Sequence, residues 1–344
     1  MTTAFCYDDL YLQHTYPGHP ENAGRLEAIM SGLDESGLLG RLVQIPARPA
    51  AEDEIARVHT RPYIQQVRRV AERGGGHLDP DTYVVARSYN AARLAAGGLL
   101  ALMDAVLDGE VKNGFALVRP PGHHALAGRG MGFCIFNNVA IAARYALARN
   151  NNVERVVIVD FDVHHGNGTQ DAFYAAPEVL FISTHQYPFY PGTGRVNETG
   201  RGEGKGTIVN LPLPAGTGDA GYAQIMDQVV RPLAQRYNPQ LILVSAGFDA
   251  HWTDPLAMMT LSLPGYAHLA RQLATMADEL CDGRLVFTLE GGYDPVVLSN
   301  AVQNTFYALL DESTVKDPIG RSPYKETDIS GRIAEVKRMH NIET

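Results

Sequence analysis

The chain predicts an α/β fold with a largely parallel sheet and helices on both of its faces. Short apolar runs rich in β-branched residues, such as 156–159 and 241–244, alternate with longer stretches whose apolar residues recur at helical spacing. Runs that are apolar throughout, rather than at every second residue, suit strands buried on both faces, as parallel strands are. Several of these strands also end in unusual polar residues, and ligands bind beyond the carboxyl ends of parallel strands.

In order, residues 7–25 are rich in Asp, Tyr, His, Pro and Gly and read as a loop. A helix over 25–37 follows, with Leu26, Ile29, Met30 and Leu33 at helical spacing. Residues 43–46 form a short strand. Glu52, Asp53 and Glu54 put acids in the first turn of the next helix, where the dipole favours them, and a second helix covers 63–73. The run 74–82, three glycines followed by His77, Asp79 and Asp81, reads as a flexible acidic loop. An Ala- and Leu-rich helix spans 88–107, and its Gly97-Gly98 pair marks the close approach of another element. Strands are then expected at 115–118, 156–159, 179–183, 207–211, 241–249 and 284–293, the last including a turn. Helices are expected at 137–149, 169–174, 222–237, 266–280 and 296–310. The stretch 312–344 reads as a loosely attached polar tail. No linker or repeat interrupts the pattern, so 1–344 is expected to be one domain.

Composition narrows the function. A hydrophobic fraction of 45% with only 19% charged residues suits a large buried core. The net charge of −9 offers no positive field for nucleic acid and suits a basic substrate, such as a lysine-rich peptide or a polyamine. Cys6, Cys134 and Cys281 are odd in number and widely spaced, which suggests neither a disulfide framework nor a thiolate metal site. The N-terminus lacks a basic, then apolar, leader, and no apolar run approaches the roughly 20 residues of a membrane span. A soluble cytoplasmic protein is expected.

Four strand ends collect the chemistry: His123-His124, Asp160 with Asp162 and His164, Asp249 with His251, and Glu290-Gly291-Gly292-Tyr293. Extended alternation puts Asp160, Asp162 and His164 on one side and Phe161, Val163 and His165 on the other. Asp162, His164 and Asp249 offer oxygen and nitrogen without sulfur. Three such ligands leave a position open, the pattern of catalytic zinc, although Fe(II), Co or Mn suit the same donors. Asp160 then serves as an outer support. The tandem histidines read as acid/base machinery and Tyr293 as a donor to a developing oxyanion, a set suited to amide hydrolysis.

Five segments taken together carry a resemblance: Arg119-Pro120-Pro121-Gly122-His123-His124, the stretch 160–168 (Asp-Phe-Asp-Val-His-His-Gly-Asn-Gly), Tyr190-Pro191-Gly192-Thr193-Gly194, Ala246-Gly247-Phe248-Asp249-Ala250-His251 and Leu289-Glu290-Gly291-Gly292-Tyr293. The chain resembles the zinc-dependent histone deacetylase family, which includes acetylpolyamine amidohydrolases and acetoin-utilisation proteins, over about residues 17–310. Asn167 and Glu290 look closer to its class II branch.

The resemblance implies an open arginase-like α/β fold with a mostly parallel eight-stranded sheet. It implies zinc on Asp162, His164 and Asp249. His124 would be the general base and acid, His123 its electrostatic partner, and Tyr293 the carbonyl-polarising donor. Asp160 would orient His123 and Asn167 would orient His124, a neutral partner leaving His124 less basic than an aspartate would. Gly132, Phe133 and Tyr190 match the walls of a narrow acyl-lysine tunnel. Asp160, Asp162, His164, Ser183 and Thr184 match a structural potassium site. Asp81, or Asp79 beside it, would hold substrate backbone amides. Leu256 stands where the polyamine-selective branch has a glutamate, which favours acylated lysine in a peptide or protein over an acetylated polyamine. Homo-oligomerisation stays open.

Three rivals remain: an acetylpolyamine amidohydrolase; a two-manganese ureohydrolase, echoed by 245–255; and a silent acyl-lysine binding module. The glycine-rich run 200–207 lacks the Ser or Thr that a phosphate loop needs after Gly-Lys, because Gly206 follows Lys205. His165 is expected to be a satisfied core imidazole. His14 and His19, with Pro20, either reach the rim of the site or only cap and turn the N-terminal loop, and His185 and His251 lie near the site in sequence without an assigned role.

Overall fold

The computed structural model describes residues 2–149 and 153–343. The strand Thr3–Cys6 (β1) leads through the helix Gly24–Glu35 (α1) to Val43–Gln44 (β2) and the helices Glu52–Ile55 (α2) and Arg61–Glu72 (α3). Gly75–Asp79 (β3), Thr82–Val85 (β4), the helix Ser88–Leu107 (α4), Asn113–Ala116 (β5) and the helix Asn138–Ala148 (α5) follow. The second half runs Val156–Asp160 (β6), Asn167–Phe173 (α6), Val179–Gln186 (β7), Ile208–Leu213 (β8), Asp219–Ile225 (α7), Arg231–Tyr237 (α8), Leu241–Ala246 (β9), Leu263–Cys281 (α9), Leu285–Leu289 (β10), Pro295–Leu309 (α10) and Ser330–Met339 (α11).

Eight strands form one sheet in the order β2-β1-β5-β10-β9-β6-β7-β8, and every adjacent pair is parallel. The expected parallel, eight-stranded α/β architecture is therefore present. Every residue of β6, β9 and β10 is buried, which accounts for their apolar runs. The order has a direct consequence for the site. The four strands whose ends carry the polar clusters, β5, β10, β9 and β6, are four consecutive neighbours.

Several expectations require correction. The run 74–82 is no loose loop: β3 and β4 pair antiparallel, and Tyr83 and Val84 are buried. Glycine makes the pairing feasible, since Gly75 has φ of +129° and a Cβ there would meet the Val84 carbonyl at 2.4 Å. The segment after Glu312 is not loosely attached. Ile329, Ile333 and Val336 are buried, Trp252 Nε1 donates to Gly320 O at 3.0 Å, and the Glu326 carboxylate accepts from Ala220 N at 3.0 Å. Its polar composition reflects one wetted face, with the buried apolar residues at helical spacing on the other.

The strand β1 precedes the expected loop, in a stretch where no element was expected, because four residues give too short a pattern to read. The expected helix 222–237 is interrupted by a π-helical turn at Met226–Val230. Pro232 follows it, and a wider turn accommodates its ring and its missing N–H. Helix α4 is long and apolar enough to cross a membrane by length and composition, contrary to the reading that no such run exists. In the fold 72% of its most apolar window is buried, so it is a core helix. The close approach expected at Gly97 is real: a Cβ there would lie 1.9 Å from Arg48 O.

Candidate active site

β6 ends at Asp160, two residues before the first donor of the metal-type cluster. Side-chain alternation therefore does not extend through His164, and the reading of Asp160, Asp162 and His164 as one equivalent face is corrected. The Asp160 carboxylate accepts from Asp162 N at 3.1 Å through one oxygen and lies 3.0 Å from His123 Nδ1 through the other. Asp162 Oδ1 accepts from His164 N at 2.9 Å, and Asp162 Oδ2 accepts from Gly291 N at 2.8 Å. Beyond the neighbouring β9, Asp249 Oδ1 accepts from Val163 N at 2.9 Å.

These bonds aim the remaining donors at one point. His164 Nδ1 lies 3.2 Å from both Asp162 Oδ1 and Asp249 Oδ2, and one donor atom from each residue falls within 4.8 Å of the others. Asp249 Oδ2 is buried and receives no hydrogen bond. A buried carboxylate oxygen without a donor is costly, and a cation removes that cost. Glycines make the space: a Cβ on Gly247 would lie 2.1 Å from Asp162 Oδ2, and one on Gly291 would lie 2.1 Å from Asp249 Oδ2. The residues present thus fit a metal ion. A second group, His123, Cys134 and Glu290, also falls within that separation. Burial pushes the Cys134 thiol well above its ordinary pKa, so it stays protonated and is a poor ligand.

The tandem histidines lie over this cluster, with ring centroids 4.0 Å apart. His124 Nδ1 is 2.8 Å from Asn167 Oδ1. An amide oxygen only accepts, so Nδ1 carries the hydrogen and Nε2 is left as the basic nitrogen. The two imidazoles are driven apart. Burial disfavours charge on His123, but Asp162, Asp160 and Glu290 outweigh it and raise its pKa to about 10. Burial, then His123 and His164, hold His124 well below its ordinary value. The surroundings favour the charged form of one ring and disfavour that of the other, a division suited to acid/base work.

A single pocket is lined by Asp81, His123, His124, Gly132, Phe133, His164, Tyr190, Leu256 and Tyr293, among others. The structure thus gathers every expected substrate-contacting residue with the tandem histidines and Tyr293. The Tyr190 ring stands edge-on to His124 at 5.2 Å, and Phe133 stands edge-on to Tyr293 at 5.9 Å. Gly132 and Phe133 both have positive φ, 57° and 68°. For Phe133 this is a strained conformation. The β3–β4 hairpin holds it: Asp81 Oδ1 accepts from Gly132 N at 3.2 Å and Thr82 Oγ1 accepts from Phe133 N at 3.0 Å. Of the residues matched to potassium, Ser183 pairs with Asp160 across β6 and β7, and Thr184 Oγ1 lies 3.4 Å from Asp160 O.

Other histidines are kept out. His165 is satisfied by Thr193 at 2.7 Å and Gln170 at 3.0 Å, as expected. His185 bonds Gly194 O at 2.9 Å, and His251 bonds Thr253, outside both donor groups. His14 is buried against Ser88 and stacked on Tyr83.

Sequence reasoning missed the supports. The fully buried Glu290 carboxylate accepts from Gly122 N at 2.7 Å and Ser245 Oγ at 3.1 Å, clamping the histidine loop onto β9 and β10. Arg25 donates to Gly292 O at 2.7 Å and Glu290 O at 2.6 Å, with its guanidinium 5.2 Å from the Tyr293 ring centre. Arg119 is ion-paired with Glu21 and donates to His14 O at 2.7 Å. Phe189 stacks on His164 at 5.5 Å. Arg25 left a readable signal, since it occupies the apolar helix face that Ile29 and Leu33 continue.

Comparison with known proteins agrees with this geometry. A sequence profile described as Histone deacetylase domain matches residues 19–309. A probable deacetylase of Archaeoglobus fulgidus is 41% identical, covering 99% of this chain and 98% of that one. A histone deacetylase-like amidohydrolase of Pseudomonas aeruginosa is 40% identical over 92% of this chain and 88% of its own. The crystal structure of the HDA15 HD domain superposes with a TM-score of 0.89 at 37% identity, covering 98% of this chain and 95% of the other. With its motifs, fold and sequence in agreement, the chain belongs to the histone deacetylase family.

Proposed function

We propose that this protein is a zinc-dependent amide hydrolase that removes acetyl or related acyl groups from lysine side chains. The observation that carries the reading is the orphaned Asp249 Oδ2, aimed with Asp162 and His164 beneath a pocket that also holds the imidazoles of His123 and His124. Zinc held by these three residues would lower the pKa of water to roughly 7 and polarise the acyl carbonyl.

The chain's own groups do the rest. His124 Nε2 takes the proton of the attacking water as its oxygen bonds to the acyl carbon, while Asn167 fixes the ring. His123, kept cationic and oriented by Asp160, offsets the negative charge that develops. Tyr293 donates its hydroxyl to the carbonyl oxygen; burial, then Asp249, hold its pKa well above the ordinary value, so it remains a donor. His124 then gives its proton to the leaving amine as the C–N bond breaks, leaving a carboxylic acid and a free amine. Gly132, Phe133 and Tyr190 form a slim wall for the alkyl chain. Asp81 both supports that wall and faces the pocket, where it suits a peptide amide or a cationic neighbour.

Asp160, Asp162, His164, Ser183 and Thr184 also suit a structural potassium ion, and three buried free cysteines suit a reducing, cytoplasmic setting. We further read 1–344 as one catalytic domain, since α11 packs on β8 and the π turn. The apolar Leu256 in the pocket wall favours acyl-lysine over acetylpolyamine. Zinc-loaded protein assayed side by side on an acetyl-lysine peptide, acetylputrescine and acetylspermidine decides between them. Faster turnover of the polyamines reverses that preference. No turnover of any of the three, with Tyr293→Phe indistinguishable from the parent, sinks the hydrolase reading.

A further inference from the structure

Asp254 lies outside both groups of metal-type donors, yet its carboxylate spans two parts of the pocket. The residue is 5% exposed. Through Oδ1 it accepts from Leu256 N at 2.9 Å, a local turn that an Asp-Pro pair favours. That bond leaves Oδ2 free, and Oδ2 accepts from Tyr293 N at 2.8 Å. Leu256 and Tyr293 both line the pocket. A planar, buried carboxylate whose two oxygens are both engaged links the positions of its two partners.

The surrounding bonds make this link effective. Asp254 N donates to His251 O at 2.9 Å, Thr253 Oγ1 donates to Asp294 Oδ2 at 2.8 Å, and Met258 N donates to Gln186 Oε1 at 2.9 Å, so the loop is fixed on both sides of Leu256. On the opposite flank Arg25 holds Gly292 O. Between these anchors the main chain of Tyr293 is set by Asp254.

We propose that Asp254 is a positioning residue that couples the Leu256 wall of the pocket to Tyr293; this rests on the reading of Tyr293 as the donor to the acyl carbonyl. A substrate that seats properly against Leu256 keeps Tyr293 in register. One that displaces Leu256 displaces the tyrosine too, so substrate fit is read in kcat as well as in KM.

The test is a double-mutant cycle on the full-length, zinc-loaded protein with an acetyl-lysine peptide. In Asp254→Asn one acceptor becomes an NH₂ group, which cannot receive an N–H. We expect kcat to fall at least about tenfold with KM within about twofold, and the same change in a Tyr293→Phe background to cost less than about twofold. Equal losses in both backgrounds overturn the coupling. Should Asp254→Asn not fold, Asp254→Glu, with both acceptors on a longer arm, carries the same cycle. Amide hydrogen exchange supplies an arm independent of turnover. Segments 255–258 and 291–294 should lose protection together in Asp254→Asn; loosening of one alone, or of neither, overturns the proposal. If the parent hydrolyses none of the acylated substrates, the functional reading fails, and exchange alone decides whether Asp254 couples the two segments.

Discussion

Two buried charge clusters flank the loop that carries Tyr293, and they are balanced in opposite ways. On one side Glu21 is matched by Arg25 and Arg119, whose remaining donors reach the carbonyls of Tyr11, His14, Glu290 and Gly292. On the other side Asp160, Asp162, Asp249 and Glu290 converge, with His123 the cation that their fields sustain, and Asp249 Oδ2 is left without a donor. Both clusters lie at the carboxyl end of the same sheet. The first joins one carboxylate to two guanidinium groups, with every polar side-chain atom of the three hydrogen-bonded, and locks a loop; in the second, four carboxyl groups outnumber His123 and one oxygen is left over, which suits a cation. Burial of charge alone does not mark a functional site. A buried carboxylate oxygen left without a partner does.

The largest test of that contrast is Asp249→Ala. It should abolish stoichiometric zinc binding, measured by elemental analysis, and lower kcat on the order of a thousandfold. A chelator should reproduce the loss in the parent protein, and added zinc should restore it. Retention of zinc and activity by Asp249→Ala would erase the distinction between the clusters.

Arg119→Met attacks the first cluster: it leaves Glu21 with Arg25 as its one guanidinium partner and takes the donor from the carbonyls of Tyr11 and His14. We expect a stability loss of about 3 kcal/mol in chemical denaturation, because buried acceptors left without donors carry their desolvation cost. The zinc content of the folded fraction should not change. The same cluster gives an acid dependence. Burial works against ionisation of Glu21, yet Arg119, then His14 and Arg25, hold its pKa down from 4.5 to about 2. A pKa lowered on folding means stability present above pH 4.5 and lost as pH falls towards 2. His59, lowered by burial to about 4, adds a loss that begins below pH 6.5. The melting temperature should therefore fall on acidification, and Glu21→Gln should flatten the part below pH 4.5.

The smallest effect concerns His124. Asn167→Asp places a carboxylate where a neutral amide now stands and should raise the apparent pKa of the acidic limb of the kcat/KM profile by about one unit, with zinc content unchanged. A profile that does not move would show that Asn167 does not act on His124.

Legibility in the sequence followed the range of the interactions involved. Apolar runs and helical spacing are local, so the long elements were readable within a few residues, whereas the four-residue β1 and the glycine-dependent pairing of β3 with β4 were not. The donor types at Asp162, His164, Asp249, His123, His124 and Tyr293 were readable because each follows an apolar run and so lies at a strand end. Glu290 sat inside a recognised motif without a role; Arg25 showed only its place on an apolar helix face, and neither its partners nor those of Asp254 were readable, because they lie 267 and 39 positions away along the chain.

The sequence by itself determined the parallel α/β architecture, the strand ends and the kinds of atoms presented there, because strand burial and side-chain chemistry are properties of short segments. Only the tertiary structure decided that β5, β10, β9 and β6 stand side by side, and with that order which carboxylates meet. Strand order is set by packing between elements far apart in sequence. It carried Asp249 to His164, left Asp160 to His123, and put the hydrogen-bonded cluster of Arg25, Arg119 and Glu21 behind Tyr293.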